Sequence, residues 1–259
     1  MGKERRLSNI LKSDGKALIV AMDHGTNSAP EGLESMGEII RQVKAGGADA
    51  VILNPGAAKR YDEEMKGLGL IMRTDLPPSL MTSGVHASRK TYGVDQALAM
   101  AADGVIVNGG TGMGVEEITL DAIAQTVNEC EPWNMPVIGE VVPGGFDSPK
   151  DVRTVKNLAA NARIASELGV DLIKMPYIEN FGEIVKFSFV PIVVLGGAKT
   201  NDDVEFVQSI KDAIDAGASG VAIGRNIWGH RDPALMTKAL AEVIHGGASR
   251  SDIEKILRG

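Results

Sequence analysis

A lysine inside an apolar run is out of place unless its amine is used. Lys174 sits in such a run, Val170-Asp171-Leu172-Ile173-Lys174, followed by Met175-Pro176-Tyr177. Taking a charged ammonium out of water is costly. Burial favours the neutral form of an amine, and a neutral amine is a nucleophile toward carbonyls. The bland alternative is a lysine that snorkels out or pairs with a carboxylate. Two acids close or interrupt other apolar runs: Asp23 in Val20-Ala21-Met22-Asp23-His24-Gly25, and Glu140 in Met135-Pro136-Val137-Ile138-Gly139-Glu140-Val141-Val142. An amine plus acids that move protons is what Schiff-base chemistry requires, through carbinolamine, imine and enamine. Lys174, Asp23 and Glu140 are therefore the candidate catalytic residues.

A second signal is glycine at two run ends. Leu195-Gly196-Gly197 and Ile223-Gly224-Arg225 expose backbone N–H groups with no side chain in the way. Such amides bind anions, and an arginine adds a fork for phosphate oxygens. Tight turns would give glycine there as well. Gly196, Gly197, Gly224 and Arg225 are read as a phosphate site. His24 directly follows Asp23 and is expected to point to the opposite side of a strand; it ranks as a support to the reacting groups or as a substrate contact, rather than as the main base. Tyr177, three residues past Lys174, either packs or donates a hydrogen bond to substrate. The four histidines are scattered without a ligand spacing, so no metal is expected. Asp147 and Lys150 read as solvated loop charges, Trp133 and Trp228 as packing residues, and Cys130 as unreactive.

The elements that must position these groups follow from the apolar runs. Eight of them recur, over 17–22, 49–53, 68–72, 104–107, 135–142, 170–174, 190–195 and 219–223. Continuous apolar character suits parallel strands buried on both faces. Helical patterns lie between them, as over 151–167 and 203–215, and several stop at a glycine before the next strand: Gly46-Gly47, Gly169, Gly217. The connections after the second and sixth runs hold only a short helix. Asp75-Leu76-Pro77-Pro78 cuts the third run off early. Eight βα units predict a (β/α)8 TIM barrel, with catalytic groups at the C-terminal strand ends and phosphate bound after strands seven and eight. An open doubly wound sheet, the alternative, rarely uses eight such regular units, and the sequence shows no dinucleotide fingerprint. Residues 1–259 are expected to be one barrel domain, with 1–16 as a segment capping its base.

Composition narrows the partners. A net charge of −7 argues against a general nucleic-acid surface, and no run of about 18 apolar residues marks a membrane span. A single cysteine and an N-terminus without an apolar stretch fit a cytoplasmic protein. The negative total does not exclude an anionic substrate, because a grip of backbone amides and Arg225 acts locally.

Taken together, Val20-Ala21-Met22-Asp23-His24-Gly25, Leu172-Ile173-Lys174-Met175-Pro176-Tyr177, Val194-Leu195-Gly196-Gly197-Ala198-Lys199-Thr200 and Ala222-Ile223-Gly224-Arg225-Asn226-Ile227-Trp228 resemble the DeoC/FbaB aldolase family. The nearest groups are archaeal-type class I fructose-bisphosphate aldolases and aminodideoxyheptulosonate synthases. The resemblance runs from about Arg6 to Val243. It implies Lys174 as the Schiff-base lysine, Asp23 as the group serving the imine and proton transfers, and a phosphate held by Gly196, Gly197, Gly224 and Arg225. It also implies metal-independent chemistry without a cofactor, a phosphorylated sugar as substrate, and a homo-oligomer of ring type such as a decamer. The implied reaction is cleavage of fructose 1,6-bisphosphate to dihydroxyacetone phosphate and glyceraldehyde 3-phosphate. Heptulosonate synthesis by transaldol transfer, a thiolase-like reaction, and a non-catalytic phosphosugar-binding barrel are the alternatives. One departure matters. The family's Tyr-Pro-Arg-Gly at the end of strand five reads Val142-Pro143-Gly144-Gly145 here, and valine moves no proton. Glu140, two residues back and on the same side of the strand, is the expected replacement. A salt-bridge role toward Lys174 or Arg225 is the alternative for Glu140.

Overall fold

A computed structural model describes residues 2–83, 86–196 and 202–258. Eight parallel strands close into a barrel in sequence order: β1 Ala17–Ala21, β2 Ala50–Leu53, β3 Gly69–Arg73, β4 Gly104–Gly109, β5 Val137–Val141, β6 Leu172–Pro176, β7 Ile192–Leu195 and β8 Gly220–Ile223, with β8 pairing back onto β1. Every expected strand is present. β3 runs one residue beyond its apolar stretch, to Arg73, before the chain diverges. Asp75–Leu76 then pairs antiparallel with Arg89–Lys90 instead of staying in the barrel. β6 lies two residues later than its apolar run. Gly169 bends the chain at φ 92°, and Asp171 accepts a hydrogen bond from the Val137 N–H at 2.9 Å, so the segment before Leu172 is a turn.

Helices pack outside. Those after β2 and β6 are short, Pro55–Arg60 and Phe181–Val185. The helix expected over 151–167 begins at Val155, because Thr154 caps it by accepting the Asn157 N–H. A single 3-10 turn, Lys150–Val152, precedes it. The helix Asp203–Asp215 is as expected. Gly47 and Gly217 stop their helices at φ 96° and 103°, a left-handed conformation that a side chain resists.

Strand alternation builds the interior. Ile19, Ile52, Ile71, Ile106, Ile138, Leu172, Val193 and Ala222 form one buried inner cluster, joined from below by Ile10 of the N-terminal segment. Arg6 donates to the Ala102 carbonyl at 2.6 Å and Asn9 to Asp103 at 2.7 Å, fixing that segment under the barrel. The outward side chains form a second, larger cluster with the helices. On four neighbouring strands the inward position two residues further up is polar: Arg73 above Ile71, Asn108 above Ile106, Glu140 above Ile138, Lys174 above Leu172. The apolar floor thus ends where the charged layer begins.

Candidate active site

The charged layer lies at the C-terminal rim, where such barrels carry out chemistry. Parallel register sets Glu140 beside Lys174 on one side and Asn108 on the other. Glu140 Oε1 pairs with Lys174 Nζ, and Glu140 Oε2 accepts from Arg73 Nη2. Arg73 Nε donates to Asp23 Oδ2 at 2.5 Å, and Arg73 Nη1 donates to Asp75 Oδ1 at 3.0 Å. Asp75 Oδ1 also accepts the Asn108 N–H at 3.2 Å. Asp23, Arg73, Asp75, Glu140 and Lys174 are all buried. Three carboxylates and two cations from three barrel strands, the turn after β1 and the short segment Asp75–Leu76 therefore form one connected cluster. It brings the three candidate catalytic residues together.

Burial in this cluster would raise each carboxyl's proton affinity, but the cations oppose it. For Asp23, burial is outweighed by Arg73, Lys174 and His24, which hold the carboxyl down at about 2. For Glu140, burial is again outweighed, here by Lys174 and then Arg73, and the carboxyl stays below the ordinary range. Asp75 goes the other way: burial pushes it up more than Arg73 pulls it down. Its Oδ2 and the Asn108 Nδ2 are buried without a partner among the described residues.

Arg73 and Asp75 carry no sequence motif and are not among the candidates drawn from the sequence. The apolar run stops at Met72, which hides the arginine that follows. The usable signal was alternation: counting two residues up from each inward apolar residue reaches Arg73 as surely as Glu140.

The cluster floors a cleft of about 1380 Å³, which also exposes His24, Tyr177, Gly196, Gly224 and Arg225. Gly197 lies outside the described residues. His24 does not oppose Asp23. The strand has ended at Ala21, and a 3-10 turn, His24–Thr26, swings the ring into the same cleft. Its Nδ1 stands 3.7 Å from Asp23 Oδ1, and its ring meets Trp228 edge-on at 5.5 Å. Burial pushes His24 below its ordinary value, so the imidazole is neutral near pH 7. Gly224 is required by space: a Cβ there would come within 2.6 Å of the Ala21 carbonyl and 2.8 Å of the His24 ring. Arg225 opens the four-residue helix Arg225–Trp228 and is exposed. Tyr177 leans on Phe181 at 5.5 Å and forms part of the cleft wall. Asp147 and Lys150 are exposed, and both edge the cleft together with Arg153. Val142 is fully buried beyond the end of β5 and does not line the cleft. Trp228 packs as expected and donates to the Ala21 carbonyl at 3.0 Å. Trp133 does not: it follows helix Glu116–Cys130 in a 3-10 turn that leaves the indole 56% exposed. Burial pushes the Cys130 thiol up to about 12, which keeps it protonated. No described helix is long and apolar enough to cross a membrane. Among the described residues no group of three His, Cys, Asp or Glu side chains is placed to hold a metal ion.

Residues 17–230 match the DeoC/LacD family of aldolases. The chain belongs to that family. An uncharacterised aldolase of Saccharolobus solfataricus is 32% identical, with all of both chains aligned. A 2-amino-3,7-dideoxy-D-threo-hept-6-ulosonate synthase of Archaeoglobus fulgidus is 33% identical over 98% of this chain and 95% of the relative. The synthase of the same name from Halobacterium salinarum is 34% identical over 95% and 93%. Among solved structures, an archaeal fructose 1,6-bisphosphate aldolase superposes with a TM-score of 0.86 at 28% identity, covering 95% of this chain and 100% of that one. This protein is thus an aldolase with the class I, Schiff-base fold, and a lyase by family.

Proposed function

We propose that the protein is a metal-independent class I aldolase acting on a phosphorylated ketose, with Lys174 as the imine-forming amine. The observation that carries this reading is the buried Lys174–Glu140 ion pair, joined through Arg73 to Asp23, at the floor of an open rim cleft. Glu140 takes the proton from the Lys174 ammonium. The amine lone pair attacks the substrate ketone carbon, and the nitrogen's surplus proton passes to the former carbonyl oxygen to give a carbinolamine. Glu140 returns its proton to that hydroxyl, which leaves as water, giving a protonated imine and an ionised Glu140. Glu140 removes the proton from the hydroxyl two carbons away. The C–C electron pair between them flows to the imine, giving an enamine on Lys174 and a free aldehyde. Protonation of the enamine carbon and hydrolysis of the imine return the lysine. Asp23, held ionised by Arg73 and Lys174, faces the positive imine throughout. This ordering assigns Glu140 the proton transfers that Val142 cannot make.

For substrate, the reading is fructose 1,6-bisphosphate, cleaved to dihydroxyacetone phosphate and glyceraldehyde 3-phosphate. Support comes from the placement of cations around the cleft. Gly196, Gly224 and Arg225 stand on the β7–β8 side of Lys174, and Lys150 and Arg153 stand on the β5 side. Arg153 Nε has no partner among the described residues. A sugar with an anionic group at each end suits such a cleft. A second reading, transaldol transfer of the heptulosonate-synthase kind, is favoured by the two relatives of that name at 33% and 34% identity. Borohydride trapping with each substrate tests both. A reduced adduct on Lys174 with fructose 1,6-bisphosphate, accompanied by release of the triose phosphates, supports the first. Turnover only with an aldehyde acceptor such as aspartate semialdehyde supports the second. Full activity with no adduct on Lys174 sinks the mechanism.

The same reading takes the working enzyme as a cytoplasmic homo-oligomer of ring type. Light scattering on the purified chain gives the subunit number, and a monomer at working concentration would overturn it.

A further inference from the structure

We propose that Arg73 is a positioning residue whose fixed charge keeps Asp23 and Glu140 ionised together beside Lys174. The inference rests on Lys174 being the imine-forming amine.

Three buried carboxylates converge here. Like charges so placed raise one another's proton affinity, as paired carboxyls that share a proton do. Lys174 alone does not offset them. Its ion pair is with Glu140, and its charge changes during the reaction it would perform. As an ammonium or an imine it is positive, and as the attacking amine it is neutral. At that neutral stage Glu140 holds the lysine's proton and Asp23 loses the lysine's charge, and once Glu140 has returned the proton Arg73 again faces both carboxylates. A guanidinium keeps its charge at every working pH. Arg73 spends one nitrogen on each carboxylate: Nε on Asp23 at 2.5 Å, Nη1 on Asp75 at 3.0 Å, and Nη2 on Glu140. No described residue other than Arg73 makes ion pairs with all three. The fork also sets orientation. With Oε2 committed to Arg73, Glu140 presents Oε1 to Lys174, and Asp23 keeps Oδ1 facing His24.

The other charged groups around the cluster fit this role. From the turn after β1 comes His24, which burial keeps neutral. From the turn after β3 comes Asp75, whose raised proton affinity marks it as the member of the trio that gives up its charge first on acidification. β5 supplies Glu140 and β6 supplies Lys174, while Arg225 stands at the end of β8 and is exposed. Arg73 is thus the buried permanent cation of the cluster. The low proton affinities of Asp23 and Glu140 agree with that.

The experiment is the pH dependence of kcat/KM for the full-length enzyme and its Arg73→Met, Arg73→Gln and Arg73→Lys variants, with fold checked by thermal melting. Borohydride adducts on Lys174 are mapped by mass spectrometry in each. Removing an opposite charge at this range moves a carboxyl by roughly one to three pH units. The acid limb of Arg73→Met and Arg73→Gln should therefore rise by that amount, with turnover at pH 7 falling about 100-fold or more. Arg73→Lys, which keeps the charge but not the fork, should hold its acid limb within about half a pH unit of the parent, inside the smallest shift expected for charge loss, while losing turnover. An acid limb unmoved in the folded neutral variants overturns the proposal. So does an equal rise in Arg73→Lys. If only one neutral variant folds, it decides alone. Failure of the parent enzyme to form a Lys174 adduct would instead overturn the proposed function, so the two failures are separable.

Discussion

Replacing Glu140 by glutamine separates proton transfer from scaffolding. The change keeps the shape of the side chain and its bond to Arg73, since the amide oxygen still accepts from Nη2. It removes the negative charge facing Lys174 and the ability to take a proton. If Glu140 is the acid–base group, turnover should fall by about 10²–10⁴-fold, the usual scale for such a residue. That is about 3–5 kcal/mol of transition-state stabilisation. A cost in stability accompanies it. Breaking a buried ion pair on one side costs about 3–5 kcal/mol, which in a domain of this size lowers Tm by roughly 6–20 °C. The assay is therefore run well below the lowered Tm. It couples release of triose phosphate to a reporter and measures borohydride trapping in parallel. The proton-shuttle role predicts that Glu140→Gln forms the Lys174 adduct more slowly, since the ammonium proton has lost its acceptor, yet accumulates it on prolonged incubation while C–C cleavage stays slow. A purely structural role predicts that trapping and cleavage fall together. Turnover within about tenfold of the parent in a folded variant would refute the assignment, because no general acid–base group is so dispensable.

Other outcomes follow from the same geometry. Lys174→Met should lose the borohydride adduct and at least about 10³-fold of turnover, measured by mass spectrometry and the cleavage assay, since among the described residues no second amine lies in the cluster. Arg225→Ala should raise KM for the phosphorylated substrate about 10–100-fold with a smaller change in kcat, the loss expected for one or two hydrogen bonds to a charged group. Gly224→Ala should lower Tm and weaken substrate binding, because the added Cβ meets the Ala21 carbonyl at 2.6 Å. Away from the site, hydrogen bonds from His245 to Asp49 at 3.0 Å and to Asp14 at 2.8 Å raise that histidine's proton affinity. A raised folded value stabilises the protein below the unfolded value and loses that contribution as pH rises through the folded one. His245→Gln should therefore lower Tm more at pH 6 than at pH 9, and a penalty equal at both would contradict the charged pair.

The barrel was legible because its physics is repetitive. Strands buried on both faces must be apolar throughout, so each of the eight announces itself without reference to its neighbours. Lys174 and Glu140 were legible for the converse reason: a charge inside such a run breaks its own pattern. Arg73 broke no pattern. It follows Gly69-Leu70-Ile71-Met72 directly and reads as the polar end of a strand, where charges are ordinary. Its meaning comes from closure of the barrel, which brings Asp23 and Glu140 to it from 50 residues before and 67 residues after. His24 was misplaced for a related reason, because strand alternation was extended past Ala21 into a turn that reverses the ring's direction. The site's electrostatics are also a property of closure. No carboxylate in the sequence is unusual by itself. Asp23 and Glu140 are held ionised in a buried place by Lys174 together with a guanidinium from another strand that reaches both, so the cluster's charge balance depends in part on a residue that no local motif marks.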